Sequence, residues 1–134
     1  MARFMLDTDT CSYAMNRTNQ KVISRMQTIP VGEVCISVVT KSELLYGVEL
    51  SARRQHDAAM LEGFLHYAEV LDFPGEACAH YARIRADLKK RGTMIGANDL
   101  FIAAHARSLG LILVTNNTRE FVRVRDLVLE NWSV

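Results

Sequence analysis

Proline is scarce, with two residues in 134, and glycine is modest at seven. That is too little for a collagen-like, linker-rich or low-complexity chain, and no internal repeat recurs along it. Cysteine supplies no scaffold either. Cys11, Cys35 and Cys78 are odd in number, lie in apolar contexts, and form neither a CxxC pair nor, with histidine, a zinc-finger spacing. They read as reduced core thiols. No hydrophobic run is long enough to span a membrane, because the longest tract, LFIAAHARSLGLILV, is broken by His105 and Arg107. Asp7 and Asp9 interrupt the apolar start before it could serve as a secretory signal. A cytoplasmic protein with no membrane partner is expected. An excess of charge is missing as well: sixteen Lys and Arg stand against fifteen Asp and Glu, a formal net charge of +1. A broad basic field for non-specific nucleic-acid binding is thereby excluded, so any such role must rest on a local site.

What is present is the material of an ordered globule: 49% hydrophobic and 23% charged residues, in a length that fits one domain over 1–134. Apolar runs rich in β-branched residues alternate with stretches of helical period. The runs predict strands at 3–6, 34–39, 70–73, 111–115 and 127–130, and the longer stretches predict helices over 41–50, 57–68, 77–91 and 98–109. Gly92 and Gly110 act as helix stops. The class is α/β, a central parallel sheet of about four to five strands with helices on both faces.

The carboxylates fall at particular points of this pattern. Asp7 follows the first strand and Glu43 comes just after the second, while Asp99 opens the helix leading into 111–115, and Asn117 and Glu120 follow that strand. In an open parallel sheet the carboxyl ends of all strands share one edge, where ligands bind near the switch in strand order. Capping offers a plainer account. Thr40-x-x-Glu43 reads as a capping box, Asn117-x-x-Glu120 has similar spacing, Asn98 could cap the helix beginning at Asp99, and Asp7 or Asp9 could cap the first one. Caps are satisfied equally by Ser or Thr, however, and do not call for a carboxylate at one strand edge after another. Like charges gathered together repel, and a divalent cation between them relieves this. Oxygen donors without His or Cys suit Mg²⁺, with Mn²⁺ as a substitute, and the natural chemistry is phosphodiester hydrolysis.

The blocks FMLDTDTCSY, SVVTKSELLYG, KKRGTMIGANDLFIAAHA, LVTNNTREFVRV and LVLENW, in this order, resemble the PIN domain, and within it the VapC-type toxins of bacterial toxin–antitoxin pairs. The resemblance covers nearly the whole chain and implies a PIN-like fold. It also implies a Mg²⁺-dependent endoribonuclease that dimerises and is inhibited by a cognate VapB-type antitoxin, which alone carries contact with operator DNA. It makes Asp7, Glu43 and Asp99 the acidic triad and metal ligands, and RNA the substrate, with the anticodon stem-loop of a tRNA as the enteric precedent. The chain departs from the pattern at Asn117, where many PIN domains have Asp. Glu120 either compensates through a water-mediated contact or simply pairs with Asn117. Met94 stands where related toxins often have Pro.

Other readings start from the same residues. DTDTC is similar to the DxDGT motif of haloacid-dehalogenase-type phosphatases, although Thr10 and Cys11 replace its Gly and Thr. A receiver-like module would need a Lys after a late strand, and none is there; a catalytically inactive scaffold is made conceivable by Asn117. Arg83, Arg85, Lys89, Lys90 and Arg91, together with Arg119, could meet RNA phosphates, or Asp87 could neutralise Arg83 and Arg91 at helical spacing. The four histidines read as ordinary helix residues. The apolar stripes of ELLYGVEL and AAMLEGFLHYA exceed what one layer can bury and suit a dimer face, where Tyr13 and Tyr46 would also pack.

Overall fold

A computed structural model describes residues 1–134. Five strands, β1 (Phe4–Leu6), β2 (Val34–Ser37), β3 (Glu69–Leu71), β4 (Ile112–Val114) and β5 (Leu129–Glu130), form one sheet of order β3-β2-β1-β4-β5. Every pairing is parallel, with Phe4 opposite Val34 on one side and Ile112 on the other. Strand order therefore reverses direction at β1, and the crevice beyond the carboxyl ends of β1 and β4 is the switch point.

Parallel strands need crossovers, and seven helices supply them: α1 (Thr8–Asn16), α2 (Gln20–Gln27), α3 (Val38–Leu50), α4 (Arg54–Tyr67), α5 (Gly75–Arg91), α6 (Ala97–Ser108) and α7 (Thr118–Phe121). The two-residue period of the strands sends alternate side chains to opposite faces. Met5, Cys35 and Leu113 face a core closed by Ile84 and Leu88 of α5 and by Leu100, Ile102 and Ala103 of α6. Phe4, Leu6, Val34, Ile36 and Val114 face a second core with Cys11, Val22, Leu44, Leu61 and Phe64. The central strands are buried on both sides, which is why they read as unbroken apolar runs. Each such side chain contributes about 1.5–3 kcal/mol by leaving water. At the chain's end Trp132 packs edge-on against Phe4, with ring centroids 5.3 Å apart.

The five strands and four long helices stand where the apolar pattern puts them, with shifted ends. The second strand stops at Ser37 instead of 39, because the Ser37 hydroxyl accepts the Val39 backbone N–H at 3.1 Å and starts α3 three residues early. Thr40 is therefore inside α3 and not its cap, so the expected capping box is absent. Asn98 is no cap either, since α6 begins after Gly96. Helix α2 goes unread in the sequence, because its polar residues hide a short buried stripe of Val22, Ile23 and Met26 behind the Asn19 cap. Gly92 does end α5, in the left-handed region at φ 66°, where its N–H reaches the Leu88 and Lys89 carbonyls.

Only three residues separate the end of α6 from the start of β4. Helix α6 must therefore run antiparallel to the strands, and this places its first turn over their carboxyl ends. No helix is long and apolar enough to cross a membrane.

Candidate active site

Asp7 leaves β1 at the switch point and caps α1: its Oδ1 accepts the Thr10 backbone N–H at 2.9 Å, and its Oδ2 accepts the Thr115 hydroxyl at 2.5 Å. The carboxylate is buried, with 5% exposure. Burial raises its pKa above the ordinary value, and the bonds from Thr115 and Thr10 pull it part of the way back. An acid so enclosed, with both oxygens engaged, is poorly placed to attack a phosphate as the phosphatase reading requires. Capping and a place in an acidic site thus coexist in this residue. Asp9 does not cap. It lies exposed in the first turn of α1, adding negative charge that raises Asp7 and Asp99.

Glu43 sits in the second turn of α3 and reaches across two helix starts. Its Oε1 accepts the Thr8 hydroxyl at 2.5 Å and its Oε2 accepts the Asn98 amide at 3.3 Å. The residue suspected as a cap of α6 instead anchors this carboxylate. Asp99, half-buried in the first turn of α6, has its carboxyl pushed from the ordinary 3.8 to about 6. Burial is the main cause, followed by the like charges of Glu43, Asp7, Glu120 and Asp9. A helix N-terminus would by itself favour the ionised form. The crowding of anions outweighs it, and all the acids concerned face one rim.

Asn117 precedes α7 and its side chain caps nothing. Its amide donates to Glu120 Oε2 at 3.0 Å, while its backbone N–H donates to the Thr115 hydroxyl at 2.9 Å. The pair spacing in the sequence is real, but it serves a side-chain bond that turns Glu120 toward the rim. The hub is Thr115, which follows β4 and links Asp7 to Asn117 across the switch point. Sequence reading passes it over, although its place directly after LILV was the available signal. Thr8 and Asn98 were missed in the same way as partners of Glu43.

No three Asp, Glu, His or Cys side chains close round one point as a preformed ligand cluster. Asp7 and Glu43 are instead tied to protein donors at fixed positions on the rim. The donor set is nonetheless all oxygen and strongly anionic, and it includes an Asp held at about 6 by its neighbours. That chemistry fits a hard divalent cation, which would offset the repulsion.

A buried acidic switch point on an all-parallel sheet defines the class, and the family model described as the PIN domain matches residues 4–127. The chain belongs to the PIN-domain family. Its similarity within that family runs to VapC proteins. It is 45% identical over 132 residues to Ribonuclease VapC2 of Haemophilus influenzae, covering 98% of this chain and 99% of the relative. It is likewise 45% identical over 133 residues to the tRNA(fMet)-specific endonuclease VapC of Shigella flexneri, covering 99% and 100%. Among solved structures, DNA-bound VapBC from Salmonella typhimurium superposes with a TM-score of 0.93 at 41% identity, over 98% of this chain and 99% of that one.

Proposed function

We propose that this chain, a single PIN domain, is the toxin of a VapBC-type pair: a metal-dependent endoribonuclease that acts in the cytoplasm and is held inactive by a VapB-type antitoxin. The observation that carries the reading is the raised Asp99, whose carboxyl is half-buried at the carboxyl-end rim of the sheet and feels the charges of Glu43, Asp7 and Glu120. The names of its relatives, a ribonuclease and a tRNA(fMet)-specific endonuclease, support RNA as substrate, with a tRNA stem-loop as the first one to try. Operator DNA would be met only through the antitoxin, in keeping with the DNA-bound VapBC structure. Leu45, Tyr46 and Leu50 lie exposed along α3, which supports a homodimer.

Asp7, Glu43 and Asp99 would hold the cation, Mg²⁺ or Mn²⁺. When bound, such an ion acidifies a water and offsets charge growing on the phosphate oxygens. The protein's own part is positioning. Thr10 and Thr115 fix Asp7, and Thr8 and Asn98 fix Glu43, so that neither carboxylate must reorganise as the phosphate arrives. Asp99, whose charge is disfavoured by burial and by the neighbouring carboxylates, would gain most from a cation placed between them. Glu120, bonded to Asn117, supplies negative charge beside Asp99 and would make up for the neutral Asn117 at the position where many PIN domains have Asp.

The test is to incubate the chain with a tRNA pool in Mg²⁺, with and without EDTA, beside Asp7→Asn and Asp9→Asn. Cleavage should vanish in EDTA and in Asp7→Asn and persist in Asp9→Asn. Cleavage that survives both EDTA and Asp7→Asn would refute the reading.

A further inference from the structure

Away from the acidic rim, a groove of about 550 Å³ runs between α5, Arg107 near the end of α6 and the segment 124–126. Its polar lining is His80, Arg83 and Asp87 from α5, Arg107 from α6, and Arg125 and Asp126. The run of basic residues on α5 is split by helical geometry. Arg85 turns to the Tyr81 hydroxyl at 2.7 Å, and Arg91 is taken by Asp87 at 2.6 Å and by the Arg123 carbonyl. Arg83 lies on the groove face with His80 and Asp87, at the three- and four-residue spacing of one stripe.

The charges here do not balance locally. Asp87 is shared by Arg91 and, at 3.4 Å, Arg125, which leaves Arg83 and Arg107 without a carboxylate in contact. Arg107 is held in place by uncharged partners: its Nε donates to His80 Nδ1 at 2.9 Å and its Nη1 to the Arg125 carbonyl at 3.0 Å. His80 accepts that bond, so it is neutral on this face. Its pKa is lowered by burial and by the neighbouring Arg107 and Arg83. Burial and Arg83 likewise disfavour the charge on Arg107, with Asp126 and Asp87 giving partial relief. Cations set close together, with the Arg107 fork held and Arg83 free of any partner, suit an incoming anion, and the arginine fork matches phosphate.

The location gives the phosphate a source. Arg107 lies eight residues beyond Asp99 on the same helix, roughly 12 Å along its axis, which is the span of a few nucleotides. A chain with a net charge of only +1 needs such a local cluster to hold a polyanion. We propose that the groove formed by Arg83, Arg107 and Arg125 binds backbone phosphates of the RNA whose scissile bond lies at the acidic rim. This rests on the nuclease reading and adds a second contact surface to it. These contacts position the RNA and read no sequence.

The experiment measures binding of labelled bulk tRNA by the full chain carrying Asp7→Asn, across a KCl series, with and without Arg83→Gln plus Arg125→Gln. Both arginines are exposed, so their replacement spares the core. The pair should weaken binding about tenfold and flatten the slope of log affinity against log salt by roughly 1.5. Arg53→Gln plus Arg54→Gln, an equal loss of charge at the start of α4, should do neither. With Asp7 intact, the Arg83/Arg125 variant should raise KM and leave kcat at saturating RNA within about twofold. An unchanged affinity and slope, or an equal effect of the Arg53/Arg54 control, would overturn the proposal. So would RNA binding that persists while antitoxin binding is lost, since the groove would then dock an acidic protein segment. Failure of the parent chain to cleave would count against the nuclease reading alone, because the binding arm judges the groove separately.

Discussion

The fold tolerates the charge of Asp99 poorly, and removing that charge should make the protein more stable as it becomes inactive. Burial and the neighbouring carboxylates push its carboxyl from 3.8 up to about 6, which would correspond to about 3 kcal/mol for a wholly buried group. The side chain is only half-buried, so solvent screening roughly halves this to about 1–1.5 kcal/mol. In EDTA at neutral pH, Asp99→Asn should therefore raise the urea midpoint and lift Tm by about 3–6 °C, while RNA cleavage disappears. The sign with pH follows from the direction of the shift. A raised folded-state pKa means that the native protein binds the extra proton, so the penalty is full above about pH 6, shrinks as pH falls, and is gone by about 3.8. The gap between variant and wild type should close over that window. Added Mg²⁺ should also narrow it at neutral pH by stabilising wild type preferentially. The reasoning fails if Asp99→Asn is destabilising in EDTA, or if its advantage is the same at pH 4 as at pH 7.

Thr115→Val should cost about 2–3 kcal/mol in urea denaturation, because it strands a buried Asp7 oxygen and the Asn117 N–H, and cleavage should fall with it. A loss under about 0.5 kcal/mol would contradict the role given to Thr115. Thr40→Val should be neutral or stabilising by up to about 1 kcal/mol, since the Thr40 hydroxyl is buried without a partner; a clear loss of stability would show that it has one. His105 is buried against Ser37, 2.8 Å away, and burial lowers its pKa. The unfolded chain thus takes up the proton first, and wild type should lose stability as pH falls below about 6.5. His105→Leu should cost stability at neutral pH and close on wild type toward pH 5; a constant difference between them would disprove the buried neutral imidazole.

The sequence by itself determined the class of fold and the edge of the sheet toward which its candidate acids fall. A strand buried on both faces must be apolar throughout, and a crossover helix must carry a three- and four-residue stripe, so five runs and four long helices were legible without coordinates. That Asp7, Glu43 and Asp99 fall toward one rim was legible for the same reason: parallel topology sends every strand's carboxyl end, and the start of every returning helix, to that side. Only the tertiary structure decided how those acids are held. Ser37 displaced Thr40 as the cap of α3, Asn98 turned from a cap into a partner of Glu43, and Thr115, 108 residues beyond Asp7 in the chain, joined it to Asn117. The arginine groove belongs to the same category, because Arg107 and Arg125 lie far from the basic run on α5 and meet it only through packing. Periodicity records which face of an element is buried. Which polar group finds which partner depends on distances between elements, and no local pattern encodes those.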